Sequence, residues 1–147
     1  MYSTIQTLHS YWAYLVVLVV FLATINALIK FFANKSYDPR DFRISLFALI
    51  VTHIQLLIGI VVYIISPYTK QISELGMGEV MKDSNLRLYV IEHPFTMILT
   101  VIFITIGYSK HKKKGVSKPK FKLLSIFYTI AFVLLLSRIP WKAWLGI

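Results

Sequence analysis

The chain has 147 residues, 57% of them hydrophobic, with a mean hydropathy of +0.69. A water-soluble domain of this size is usually less than half apolar, so the composition points to surface that faces lipid. The absence of cysteine excludes disulfides, thiolate metal sites and thiol catalysis, and the net charge of +10 matters for where it falls rather than for its sum.

Four apolar runs follow in order. The first covers residues 11–32. No basic residue precedes it and no small-residue cleavage site follows it, so it is expected to stay as an anchor helix rather than be removed as a signal peptide. The turn Tyr37-Asp38-Pro39-Arg40 stops it. The second run, 44–66, closes at Ser66-Pro67. A loop over 67–89 is long enough to fold over a bundle. The third run, 90–108, opens on His93-Pro94, with the proline in a first turn where a missing amide proton costs little. The fourth, 121–139, follows a loop holding Gly115 and Pro119. Each run approaches the roughly 20 residues that a helix needs to cross a bilayer. Backbone groups in lipid must bond within their own segment, so all four should be helices. The expected fold is all-α: one domain over 1–147, an integral membrane up-down-up-down four-helix bundle.

The basic residues orient it. Lys30, Lys35, Arg40 and Arg43 flank the first connection, and Lys110, Lys112, Lys113, Lys114, Lys118, Lys120 and Lys122 flank the third. In the second, Lys70, Lys82 and Arg87 stand against Glu74, Glu79, Asp83 and Glu92. Basic loops stay in the cytoplasm, which puts both termini outside. Trp12, Trp141 and Trp144 then fall at the outer surface, as an interfacial aromatic belt would. The lysine cluster reads as a topology signal in contact with anionic lipid; a nucleic-acid role would need aromatic interleaving or a soluble domain. His111, inside that cluster, is expected to be solvated.

Helices in lipid pack through small and polar stripes. Helical spacing gives His9, Ala13, Val16, Val20, Ala23 and Ala27 on the first helix and Ser45, Ala48, Thr52, Gln55, Gly59 and Ser66 on the second. The third gives His93, Thr96, Thr100, Ile104 and Gly107; the fourth gives a weaker stripe of Ser125, Thr129 and Phe132. His53 flanks its stripe near mid-membrane, where hydrogen bonding to a neighbouring helix is its expected role.

His9 and His93 share a face and a level. His9 lies 21 residues before Lys30 and His93 17 residues before Lys110, roughly 31 and 25 Å of helix. On diagonal helices, two such imidazoles could ligate one haem iron from both sides. Gly59 and Arg138 lie at the same level. The glycine would let a flat macrocycle approach, and the arginine would pair with a propionate. Each residue also has an ordinary role: interfacial histidine for His9, helix capping or pairing with Glu92 for His93, plain packing for Gly59, and snorkelling to phosphate for Arg138.

A helix carrying a histidine near its outer end, a second with Gln55-Leu56-Leu57-Ile58-Gly59 and a third opening on His93 together resemble one four-helix half of haem A synthase. The layout covers the whole chain. It is also similar to small bacterial four-helix membrane proteins of the cytochrome b type. The resemblance implies a bis-histidine haem b through His9 and His93, in a bacterial inner membrane. The chain departs from haem A synthase in having one half instead of two. It has Gln6, Thr7 and Leu8 where that family has a glutamate before its first histidine, and it lacks the cysteine pair. Hydroxylase activity on haem is therefore not implied. No nucleophile–base pair or paired carboxylate lies in the runs, so the expectation is an electron carrier or haem-handling protein rather than an enzyme. The alternative is a cofactor-free accessory or assembly subunit of a larger membrane complex, such as a respiratory one. It would make its contacts through Ile72, Leu75, Met77 and Met81 of the outer loop.

Overall fold

The computed structural model describes residues 1–146. It consists of helices and short connections, with no strand among the described residues. The four longest elements are α1 (Tyr2–Phe32), α2 (Pro39–Ile65), α6 (His93–Lys112) and α7 (Ser117–Ser137). Between α2 and α6 lie α3 (Pro67–Leu75), α4 (Met77–Lys82) and α5 (Ser84–Arg87), and α8 (Trp141–Leu145) closes the chain. A π-helical turn over Leu88–Glu92 joins α5 to α6, so Ser84–Lys112 runs as one rod.

Four rods are long and apolar enough to cross a membrane, the mark of a multi-pass membrane protein. Between 17% and 33% of each apolar stretch is buried inside the protein. Much of the remainder is exposed, including Leu57, Ile64, Phe95 and Val133, and that much exposed apolar surface suits lipid.

Several helices are longer than the apolar runs. The first begins at Tyr2, because the polar segment before Tyr11 is satisfied locally: Thr7 donates to the Ser3 carbonyl and Gln6 to Ser10. The second begins at Pro39, where fixed φ suits a first helical position. Asp38 and Asp41 form a reciprocal capping box there. The connection between α2 and α6 is helical in three pieces, each started by a cap or a glycine: Ser66 accepts from Tyr68 N, Gly76 has φ +84°, and Asp83 accepts from Asn85 N and Leu86 N. Val80, Leu86 and Val90 make a small core under that loop. Ile72 packs against this core, whereas Leu75, Met77 and Met81 are exposed.

Each long helix packs on two of the others: α1 on α2 and α7, and α6 on α2 and α7. The main core gathers Val16, Val20, Ala23 and Ala27 with Ala48, Val51 and Ile104. The stripes expected on the first three helices therefore lie inward, with Thr52, Thr100 and Gly107 also buried. The fourth helix differs. Its buried face is Phe121, Leu124, Tyr128, Ala131 and Leu135, with Ser125 beside it. Large residues fill this side because the facing helices present small ones, so a search for small residues alone misplaces the stripe by about one position. At Gly107 α7 packs tightly on α6: a Cβ there would lie 2.5 Å from Cβ of Phe127. Tyr128 is fully buried, and its hydroxyl crosses the core to donate to the Ser45 carbonyl at 2.8 Å.

Candidate functional site: a histidine pair at one end of the bundle

His9 and His93 meet. Their ring centroids are 6.2 Å apart and their planes are nearly perpendicular, at 89°. The two residues come from α1 and α6, which lie across the bundle from each other.

Local sequence holds each ring. Pro94 has no N–H to return to the preceding turn. Tyr63 of α2 supplies a donor there, its hydroxyl bonding the Val90 carbonyl at 3.1 Å. This stabilises the π-helical turn that ends immediately before His93; such turns often accompany functional sites. His93 Nδ1 lies 2.8 Å from the backbone carbonyl of Arg138. A carbonyl can only accept, so Nδ1 carries the proton and Nε2 keeps its lone pair.

His9 is held from α2. Gln55 donates to the His9 carbonyl at 2.9 Å, and Trp12 donates to the Val51 carbonyl at 3.0 Å. Gly59 faces the His9 ring directly: a Cβ there would lie 3.2 Å from Cε1. The glycine's visible role is thus to admit the imidazole. Two buried atoms beside this contact have no partner, His9 Nδ1 and Gln55 Oε1. One is a potential donor and the other an acceptor, which a small rotation or a bridging water would satisfy together.

The guanidinium of Arg138 lies beside Glu92 at 3.6 Å, and Arg87 bonds the other oxygen of the same carboxylate at 2.8 Å. Arg138 therefore reaches His93 through its backbone, while its side chain belongs to a half-exposed cationic cluster next door. The tryptophans gather at this end as well. Trp144 donates to the Ser10 carbonyl at 3.2 Å and lies 4.5 Å from the Tyr14 ring at a 34° tilt, and Trp141 lies against Trp144.

The other two histidines are used structurally. His53 bonds the Leu49 carbonyl at 2.7 Å and lies 3.4 Å from the Thr105 hydroxyl. His111 is fully buried, contrary to the solvated position expected from its lysine neighbours. It bonds the Tyr108 carbonyl and, at 2.8 Å, the Tyr37 hydroxyl. Helical phase turns it inward while Lys110 and Lys112 turn outward. Burial pushes the Tyr37 hydroxyl up to about 12, so it stays protonated and donates to His111. Nearby, Asp41 is buried and accepts from Lys30 at 2.7 Å and Asn26 at 2.9 Å. The Tyr37–His111 and Lys30–Asp41 pairings do not follow from the sequence reading; the Tyr37–Asp38–Pro39 turn preceding a buried aspartate was the available signal.

Among the described residues no group of three or more histidines and acids converges. A bare ion such as zinc usually takes four ligands. Compared with known proteins, the chain matches no family model, no curated protein and no solved structure.

Proposed function

We propose that this chain is a small membrane cytochrome of the b type. His9 and His93 are the axial ligands of one haem near the outer face, and the protein serves electron transfer or haem handling. The observation that carries the reading is the separation of the two rings. Imidazoles bound to one metal from opposite sides, each at about 2 Å, have centroids roughly 6 Å apart, and these stand at 6.2 Å.

The chain's own residues fit the task. The Arg138 carbonyl fixes the His93 tautomer that leaves Nε2 free to ligate, the arrangement typical of metal-bound histidine. Arg138 and Arg87 supply cationic partners for propionates beside the pair, in competition with Glu92. A haem with two axial histidines supplies one-electron transfer and has no open iron position for oxygen.

The basic connections define the orientation we propose. The lysine-rich ends of α6 and α7 are cytoplasmic, the histidine pair is outside, and the membrane is the bacterial inner membrane. The resemblance to half of haem A synthase is part of the same reading. The deciding measurement is a reduced-minus-oxidised visible spectrum of purified, haem-supplied protein. Sharp low-spin b-type bands at about one haem per chain are expected, and a colourless protein would overturn the reading.

A second reading has its own observation. Leu75, Met77 and Met81 are exposed around α3 and α4, where a cofactor-free accessory subunit would meet its partner complex. Under that reading, replacing both histidines changes stability alone.

A further inference from the structure

The start of α7 is electrostatically unfavourable as it stands. Its first two turns carry Lys118, Lys120 and Lys122, with no acidic residue in the first turn and no side-chain cap. A helix N-terminus is the positive end of the dipole, so this clustering disfavours the helix unless an anion sits there. Lys120 is committed inward, donating to the His111 carbonyl at 3.2 Å. Lys114, Lys118 and Lys122 instead surround a hollow of about 470 Å³. Lys118 touches Asn34 there at 2.7 Å, and no acid lines the hollow.

That hollow shares Phe31 and Lys122 with an apolar groove of about 400 Å³ between α1 and α7. Leu28, Ile126 and Ile130 line the groove, as do two hydroxyl-bearing residues, Ser125 and Thr129. Both hydroxyls are buried without a partner, and Ser125 is only 6% exposed. Elsewhere Thr24, Thr52, Thr100 and Thr105 each donate to the carbonyl four residues back.

We propose that this groove holds one anionic phospholipid. Its phosphate sits among Lys114, Lys118 and Lys122, which line the hollow at the start of α7. An ester carbonyl accepts from Ser125, three residues beyond Lys122 and roughly 4.5 Å further along the helix. An acyl chain lies against Leu28, Ile126 and Ile130. Under the orientation proposed above the lipid comes from the cytoplasmic leaflet; the site itself depends neither on that orientation nor on haem.

Native mass spectrometry of the detergent-solubilised full chain tests this, because the masses of protein, haem and lipid are read separately. The probe is an equimolar mixture of phosphatidylglycerol and phosphatidylcholine. One phosphatidylglycerol should be retained in preference by about tenfold or more. The triple variant Lys114→Gln, Lys118→Gln, Lys122→Gln should lose the preference. The triple variant Lys110→Gln, Lys112→Gln, Lys113→Gln, with the same change in charge, should keep it. Equal loss in both, or equal retention of the two lipids by the unaltered chain, would overturn the site. Ile126→Trp fills the groove without altering charge and covers the case in which the first variant fails to insert. It should also shed the lipid, and retention would count against the groove.

Discussion

His93 donates through Nδ1 to the backbone carbonyl of Arg138 at 2.8 Å, so the end of α7 decides which nitrogen of an α6 histidine carries the proton. A backbone acceptor cannot be removed by changing a side chain. The tautomer is therefore set by how the two helices pack, and the Arg138 side chain is left for other work.

If His9 and His93 ligate haem, His93→Ala should lose the low-spin spectrum while the helices remain. Millimolar imidazole should restore part of it, because the vacated space matches the free ring. A variant that keeps a full low-spin haem without imidazole would exclude His93 as a ligand.

Gly59 and Gly107 should behave differently when enlarged. At Gly59 the new atom meets the rim of the His9 ring at 3.2 Å, so Gly59→Leu should lower haem occupancy with little change in helix content. At Gly107 the obstacle is Cβ of Phe127 at 2.5 Å, which cannot swing away. Gly107→Ala should lower stability by about 1–3 kcal/mol through overpacking. Thermal unfolding and the haem spectrum, measured on both variants, separate the two effects.

Lys30 and Asp41 are unequally buried, with side-chain exposures of 22% and 1%. Removing the cation strands a carboxylate away from water, so Lys30→Met should cost about 3 kcal/mol. Asp41→Asn leaves a lysine that can still reach water and should cost less. Unfolding in mixed micelles compares them; the opposite ranking would mean that the buried carboxylate draws its support from Asn26 and the Asp38 amide instead.

The Tyr37 hydroxyl titrates near 12 in the folded chain, against about 10 in an unfolded one, because burial disfavours the phenolate. The folded state thus holds its proton after the unfolded state has lost it. Tyr37 contributes stability that is fully present below pH 10 and falls away as pH rises from 10 to 12. Tyr37→Phe should reduce that alkaline slope and remove the bond to His111, costing about 1 kcal/mol at neutral pH. An unchanged slope would show that other tyrosines dominate it.

Four apolar runs, their proline and glycine stops, and the asymmetry of basic residues are properties of consecutive sequence. Lipid enforces helix on any such run, and for that reason the number of spans and most of the inward stripes could be read directly. The shared level of His9 and His93 was also legible, because helical rise is constant. What each residue touches was not. The capping of α3, α4 and α5, the burial of His111 and the true inward face of α7 depend on which large side chain meets which small one across the bundle. Arg138 shows the same limit: its charge suggested a role for its guanidinium, yet it is its carbonyl that meets His93, a contact made by the packing of α7 on α6. Backbone groups are identical in every residue, so only the tertiary structure could decide it.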